Sequence, residues 1–135
     1  MVLKEQCITK FNQPNKNGRV YSSDDFDLND PIIQEKLKNN SFFGELGFPV
    51  DRNDDIDLEK ISHRVINLYK KDDGLYADIE ILDTPNGRIL EQLVNTGIRV
   101  GFRTRGSGTL NSKDDGTLDV SDFTLYTIDC TYNPA

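Results

Sequence analysis

Two runs of strand-forming residues on either side of an aspartate–glycine pair restrict the fold more than any other feature of the chain. Residues 61–69 read ISHRVINLY and residues 75–82 read LYADIEIL, with Lys70-Lys71-Asp72-Asp73-Gly74 between them. Asp-Gly suits the tight turns whose twist matches a pair of antiparallel strands, so the two runs predict a hairpin. In the second run Leu75, Ala77, Ile79 and Ile81 fall on one face and Tyr76, Asp78 and Glu80 on the other, the alternation of a half-buried strand.

The rest of the chain supplies further strands and two short helices. Residues 2–9 suit a strand, and the turn formers Asn12-Gln13-Pro14-Asn15-Lys16-Asn17-Gly18 predict a loop after it. Asp30-Pro31 is a helix cap followed by proline at the first helical position. A helix is expected over residues 31–38, ended by Asn39-Asn40. Thr84-Pro85 repeats that signature, with Ile89, Leu90, Leu93 and Val94 at helical spacing and Gly97 as the stop. Then Ile98, Val100, Phe102 and Thr104 alternate with Arg99, Gly101, Arg103 and Arg105. This strand places Thr104 on the apolar side and lines up three guanidinium groups on the other. Asp114-Asp115-Gly116 marks a turn, and residues 123–131 alternate as a closing strand. The fold expected is α+β, mainly β: about six strands in a compact antiparallel β barrel or sandwich with two short helices, with Ile79, Ile81, Leu90, Val100 and Phe102 in its core.

Composition sets outer bounds. A chain of 135 residues makes one domain, residues 1–135, able to bury roughly two thirds of its unfolded surface. Its 23 acidic and 16 basic residues leave a net charge of −7, which repels phosphate backbones and argues against general nucleic-acid binding. No apolar run approaches the roughly 20 residues of a membrane span. Cys7 and Cys130 lie at opposite ends of the chain and form no metal-type pair, and nothing at the start reads as a signal peptide, so reduced, cytosolic thiols are expected. Residues 51–57 (DRNDDID) supply the first ligands of a calcium loop. Ile56 where that loop needs glycine, and Ser62 where it needs glutamate, make a solvated acidic loop the better reading. No phosphate-binding glycine motif is present, and no metal or cofactor is expected.

Six pieces then occur in a telling order: Asn15-Lys16-Asn17-Gly18-Arg19-Val20-Tyr21, Gly44-Glu45-Leu46, Ile61-Ser62-His63-Arg64-Val65, residues 81–87 (ILDTPNG), residues 100–106 (VGFRTRG) and residues 129–134 (DCTYNP). Together they resemble the prohead maturation proteases of tailed bacteriophages, serine proteases related to the herpesvirus capsid-assembly proteases. The resemblance implies a β barrel flanked by helices and a catalytic histidine at His63. It implies a nucleophile in a segment like VGxSSRG, here VGFRTRG, so Arg103 and Thr104 stand at both serine positions. Asp129, in a stretch resembling the family's terminal DxVxxPS, takes the third catalytic position. Phe48 replaces the histidine of the family's GELxHP.

Acyl transfer needs a hydroxyl within reach of an imidazole base, a group orienting that base, and donors for the oxyanion. Thr104 is the one hydroxyl at a family nucleophile position, and its methyl group crowds the attacking oxygen. Ser107, between Gly106 and Gly108, is a weaker candidate. Arg103 opposes activity: a permanent positive charge there competes for any orienting carboxylate and fills space meant for substrate. The reading is therefore of a degenerate protease, an auxiliary or structural protein of the phage head assembled in the host cytoplasm. It binds the major capsid protein or the scaffold through Arg99, Arg103 and Arg105, with self-association as a further partner. An active serine/threonine-type prohead protease using His63, Thr104 and Asp129 is one alternative, and a transient scaffold-binding assembly factor is another. For the arginine row, a solvated strand face that discourages edge pairing is the competing interpretation.

Overall fold

A computed structural model describes residues 1–49 and 53–134. The expected hairpin forms as β4 (Ile61–Lys71) and β5 (Gly74–Ile81). β1 (Val2–Lys10) adds antiparallel to β5, and β3 (Phe43–Glu45) adds antiparallel to β4, which gives the order β1-β5-β4-β3. A second sheet has the order β2-β7-β6, with β6 (Gly101–Ser112) and β7 (Leu118–Thr131) antiparallel and the two-residue β2 (Arg19–Val20) parallel to β7. A bridge from Leu46 to Cys130 ties the end of β3 to β7. The sheets share one core and do not close among the described residues, so of the barrel or sandwich expected, two open, mainly antiparallel sheets form.

The helices start where the caps place them. In α1 (Pro31–Lys38) the Asp30 carboxylate accepts from the Ile32 amide at 2.8 Å. In α2 (Pro85–Asn95) the Thr84 hydroxyl accepts from the Gly87 amide at 3.0 Å and donates to the Ile61 carbonyl at 2.5 Å, which fastens the helix to the start of β4. A side chain at Gly87 would overlap the Leu82 carbonyl, so glycine is what lets α2 lie this close. Neither helix is long and apolar enough to cross a membrane.

Ile79, Ile81, Leu90 and Phe102 are buried as expected, and Val100 is half-buried against them. The β6–β7 hairpin is longer than the sequence suggests. Gly106 and Gly108 lie inside β6 at two register shifts, packed on Phe123. The chain reverses at the expected Asp114-Asp115-Gly116 turn, where Gly116 has φ +85° and the Lys113 amide donates to the Thr117 carbonyl at 3.0 Å. Both cysteines are free; Cys7 is exposed, and burial pushes the Cys130 thiol up to about 12.

Candidate functional site

The first residues of β4 are covered on both faces, because α2 lies over one and β7 and β6 lie over the other. Ser62 and His63 are both 0% exposed. The His63 Nε2 sits 2.8 Å from the Ile128 carbonyl oxygen and its Nδ1 2.7 Å from the Ser62 hydroxyl. A carbonyl can only accept, so Nε2 carries the proton and Nδ1 accepts from Ser62. Burial lowers the imidazole pKa to about 4, against a smaller opposing pull from the Ile128 bond, so the ring is neutral at ordinary pH. The Phe102 ring meets it edge-on at 5.2 Å. Gly44 lies opposite His63 in the β3–β4 ladder, and a side chain there would collide with Nε2 and with the Ile128 carbonyl. Glycine at this position is thus a packing requirement of the histidine.

Asp129 takes no part in that arrangement. Its two carboxylate oxygens accept from Arg105 Nε at 2.9 Å and from one terminal nitrogen at 3.0 Å, and one of them also accepts from the Glu45 amide at 3.0 Å. The same terminal nitrogen donates to Glu45 Oε2 at 3.0 Å. The other terminal nitrogen reaches the Asp55 carbonyl at 2.8 Å and the Asn53 carbonyl at 3.3 Å. Side-chain exposures of 1%, 0% and 4% for Arg105, Asp129 and Glu45 make this a fully desolvated ion triad. Burial works against the Arg105 charge, but the two carboxylates more than offset it and hold the guanidinium above its usual range. The same burial pushes the Asp129 carboxyl up, against the pull of Arg105 and the Glu45 amide. Of the acidic loop, Asp51 and Arg52 lie outside the described residues; Asn53 and Asp55 use their carbonyls to hold Arg105. No group of three or more histidine, cysteine or acidic residues among the described residues is disposed to hold a metal.

The arginine row comes apart in space, which corrects the expectation of a single exposed strip. Arg99 is exposed and precedes β6. The Arg103 guanidinium lies 3.8 Å from the centre of the Phe48 ring. Arg105 points inward because the segment after β3 folds over the face that alternation assigns to solvent. Thr104 and Ser107 line a cleft of about 220 Å3 with Arg19, Phe48 and Arg103, and His63 is not in its lining. The Ser107 hydroxyl accepts from Tyr126 at 2.9 Å. So His63 joins Ser62 and Ile128, Asp129 joins Arg105 and Glu45, and Thr104 and Ser107 share the cleft with two arginines. Sequence reasoning gave Ser62, Glu45 and Arg19 no role of their own, although all three lie inside the motifs that carry the resemblance.

A family model described as prohead core protein serine protease matches residues 3–135. The chain belongs to that family. Among solved structures it is similar to the bacteriophage T4 capsid assembly protease, gp21, with a TM-score of 0.83 and 21% identity over 98% of this chain and 82% of that one, a likeness of fold. No curated protein matches. Phe48 and Arg103, two positions where the sequence resemblance expects other residues, lie in one contact.

Proposed function

We propose that the chain is a protein of the phage head built on a prohead-protease fold that no longer cleaves peptides, held there by the major capsid protein or the scaffold. The observation that carries this reading is the engagement of His63. A general base needs a lone pair aimed at the attacking hydroxyl. Here Nδ1 is occupied by Ser62, Nε2 gives its proton to Ile128, and neither is exposed. The Arg103–Phe48 contact supports the same reading, because the sequence resemblance expects a serine nucleophile in this segment and Arg103 lies here against an aromatic ring. Loss of the nucleophile of a comparable triad costs on the order of a million-fold in turnover. Residence in the head rests on membership of a prohead family.

Two measurements test the proposal. Purified protein incubated with capsid and scaffold proteins is expected to leave them uncut, and Thr104→Val, which keeps the shape of the side chain and removes its hydroxyl, is expected to leave head maturation unchanged. Sequence-specific cleavage abolished by Thr104→Val or His63→Ala would overturn the loss of activity. Quantitative mass spectrometry of purified mature heads is expected to find the chain intact and in many copies, and its absence would overturn head residence.

A further inference from the structure

A second, larger cleft of about 340 Å3 lies between α1, the 3-10 turn Ser23–Asp25 and β7, and shares only Phe123 with the cleft that holds Thr104. Two irregularities in β7 shape its floor. In the ladder with β6, Thr127 faces Arg105 and Leu125 faces Gly106, which leaves Tyr126 over; a second shift falls between Thr124 and Ser121, where Asp122 has φ +51°. Such bulges bend a strand. The stretch between them brings Phe123 and Leu125 to the cleft, where Phe26 and Ile33 complete an apolar floor. The Phe26 and Phe123 rings meet edge to face at 5.4 Å.

The rim has the opposite character. Asp25, Asp27, Asp30 and Asp54 stand around this floor, with Lys36 as the one basic residue of the described lining. The first three carboxylates accept from the amides of Ser22 at 2.7 Å, Asn29 at 3.0 Å and Ile32 at 2.8 Å, which fixes their positions and leaves their charges unpaired. No lysine or arginine among the described residues forms an ion pair with any of the four. Lys36 is engaged elsewhere: its ammonium group donates to the Tyr126 carbonyl at 2.8 Å and lies 5.8 Å from the centre of the Phe42 ring.

We infer that this apolar cleft takes an arginine side chain presented by another head protein, its stem and guanidinium face on the floor and its N–H groups on the carboxylates of the rim. Charge complementarity selects the occupant. An acidic rim repels acidic side chains and phosphate, and an aliphatic side chain would leave the carboxylates covered without a partner. Arginine meets both surfaces at once, because its guanidinium is weakly hydrated, lies flat on aromatic rings and carries donors matched to carboxylates. The inference rests on the proposed binding role and states the chemistry that the partner surface must carry.

The test uses the intact protein and two capped pentapeptides of alanine and serine that differ only in a central arginine or citrulline, which keeps the planar head and removes its charge. In NMR titrations the arginine peptide is expected to shift the amides of α1 and of residues 123–126, and to bind about tenfold more tightly than its twin. Asp27→Asn combined with Asp54→Asn keeps an oxygen for the Asn29 amide and should remove that preference, whereas Asp83→Asn, ahead of α2 and outside the lining, should leave it intact. Added salt should weaken the arginine peptide more than the citrulline peptide. Equal affinity for the two peptides, binding of neither, a preference that survives the paired substitution, or calcium ions bound at this cleft more tightly than the arginine peptide would each overturn the assignment. The peptide comparison needs no variant, so misfolding of the paired variant cannot mask a failure. Lost discrimination in a protein still found in mature heads removes the cleft and leaves the head role; discrimination in a protein absent from heads does the reverse.

Discussion

Arg103 and Arg105 stand two residues apart on one face of one strand, yet they do different work. Arg105 is sealed inside with two carboxylates and two carbonyls, while Arg103 lies half-buried over an aromatic ring at the mouth of a cleft. Residue type and strand phase are the same in both cases. What differs is the cover: Glu45 and residues 53–57 close over one arginine, and Phe48 leaves the other beside the cleft. What surrounds a basic residue on a strand is set by the distant chain that folds across it.

The sharpest way to break this comparison is to remove each guanidinium. Arg105→Ala strands Asp129 and Glu45 without their cation and is expected to cost about 3 to 5 kcal/mol, a large part of a small domain's stability. Urea unfolding measures it, and a loss no greater than that of Arg103→Ala would erase the distinction. The other buried polar network gives the next largest effect. His63 has a pKa of about 4 in the folded protein and 6.5 as its ordinary value, so the unfolded chain binds the extra proton between these limits. Stability is therefore full above about pH 6.5 and falls as the pH drops towards 4, by about 3 kcal/mol in all. His63 is the single histidine, so His63→Gln should flatten the upper part of that slope, and an unchanged slope would place the proton elsewhere. Arg103→Ala forfeits the contact with Phe48, and a double-mutant cycle with Phe48→Ala is expected to give a coupling of about 1 kcal/mol. Arg99→Ala, on an exposed residue outside the sheet, should leave the unfolding midpoint where it was.

The fold was legible wherever local chemistry decides it. The β4–β5 hairpin formed where the two strand-forming runs placed it, although its loop is Asp72-Asp73 and Gly74 opens β5, and the two cap-and-proline signatures placed both helices at their observed starts. Elements that exist only through pairing were not legible: β2 and β3 have two and three residues and no periodicity to read. The glycines in β6 serve close approach to Phe123, and Gly106 also to the Thr124 carbonyl, which no local pattern announces. The site divides in the same way. The motif order led to His63, Arg103 and Asp129, but the partners that decide their roles are a backbone carbonyl at Ile128, a ring at Phe48 and a guanidinium at Arg105. A carbonyl has no sequence signature, and the alternation that put Arg105 beside Arg103 carries no sign of the segment that covers it.

The Arg105 triad also bears on the order of events in folding. Glu45 and Asp129 are 84 residues apart in the chain, and Arg105 joins them to a third segment at residues 53–55. Before β3 and residues 53–55 reach it, a buried guanidinium paired with Asp129 alone leaves donors unsatisfied, so the full set of contacts forms only once both sheets are in place. The local β4–β5 and β6–β7 hairpins close shorter loops and come first. Interactions formed after the rate-limiting step slow unfolding without hastening folding. The triad accordingly acts as a late-closing latch, which lengthens the lifetime of the native state more than it speeds its formation.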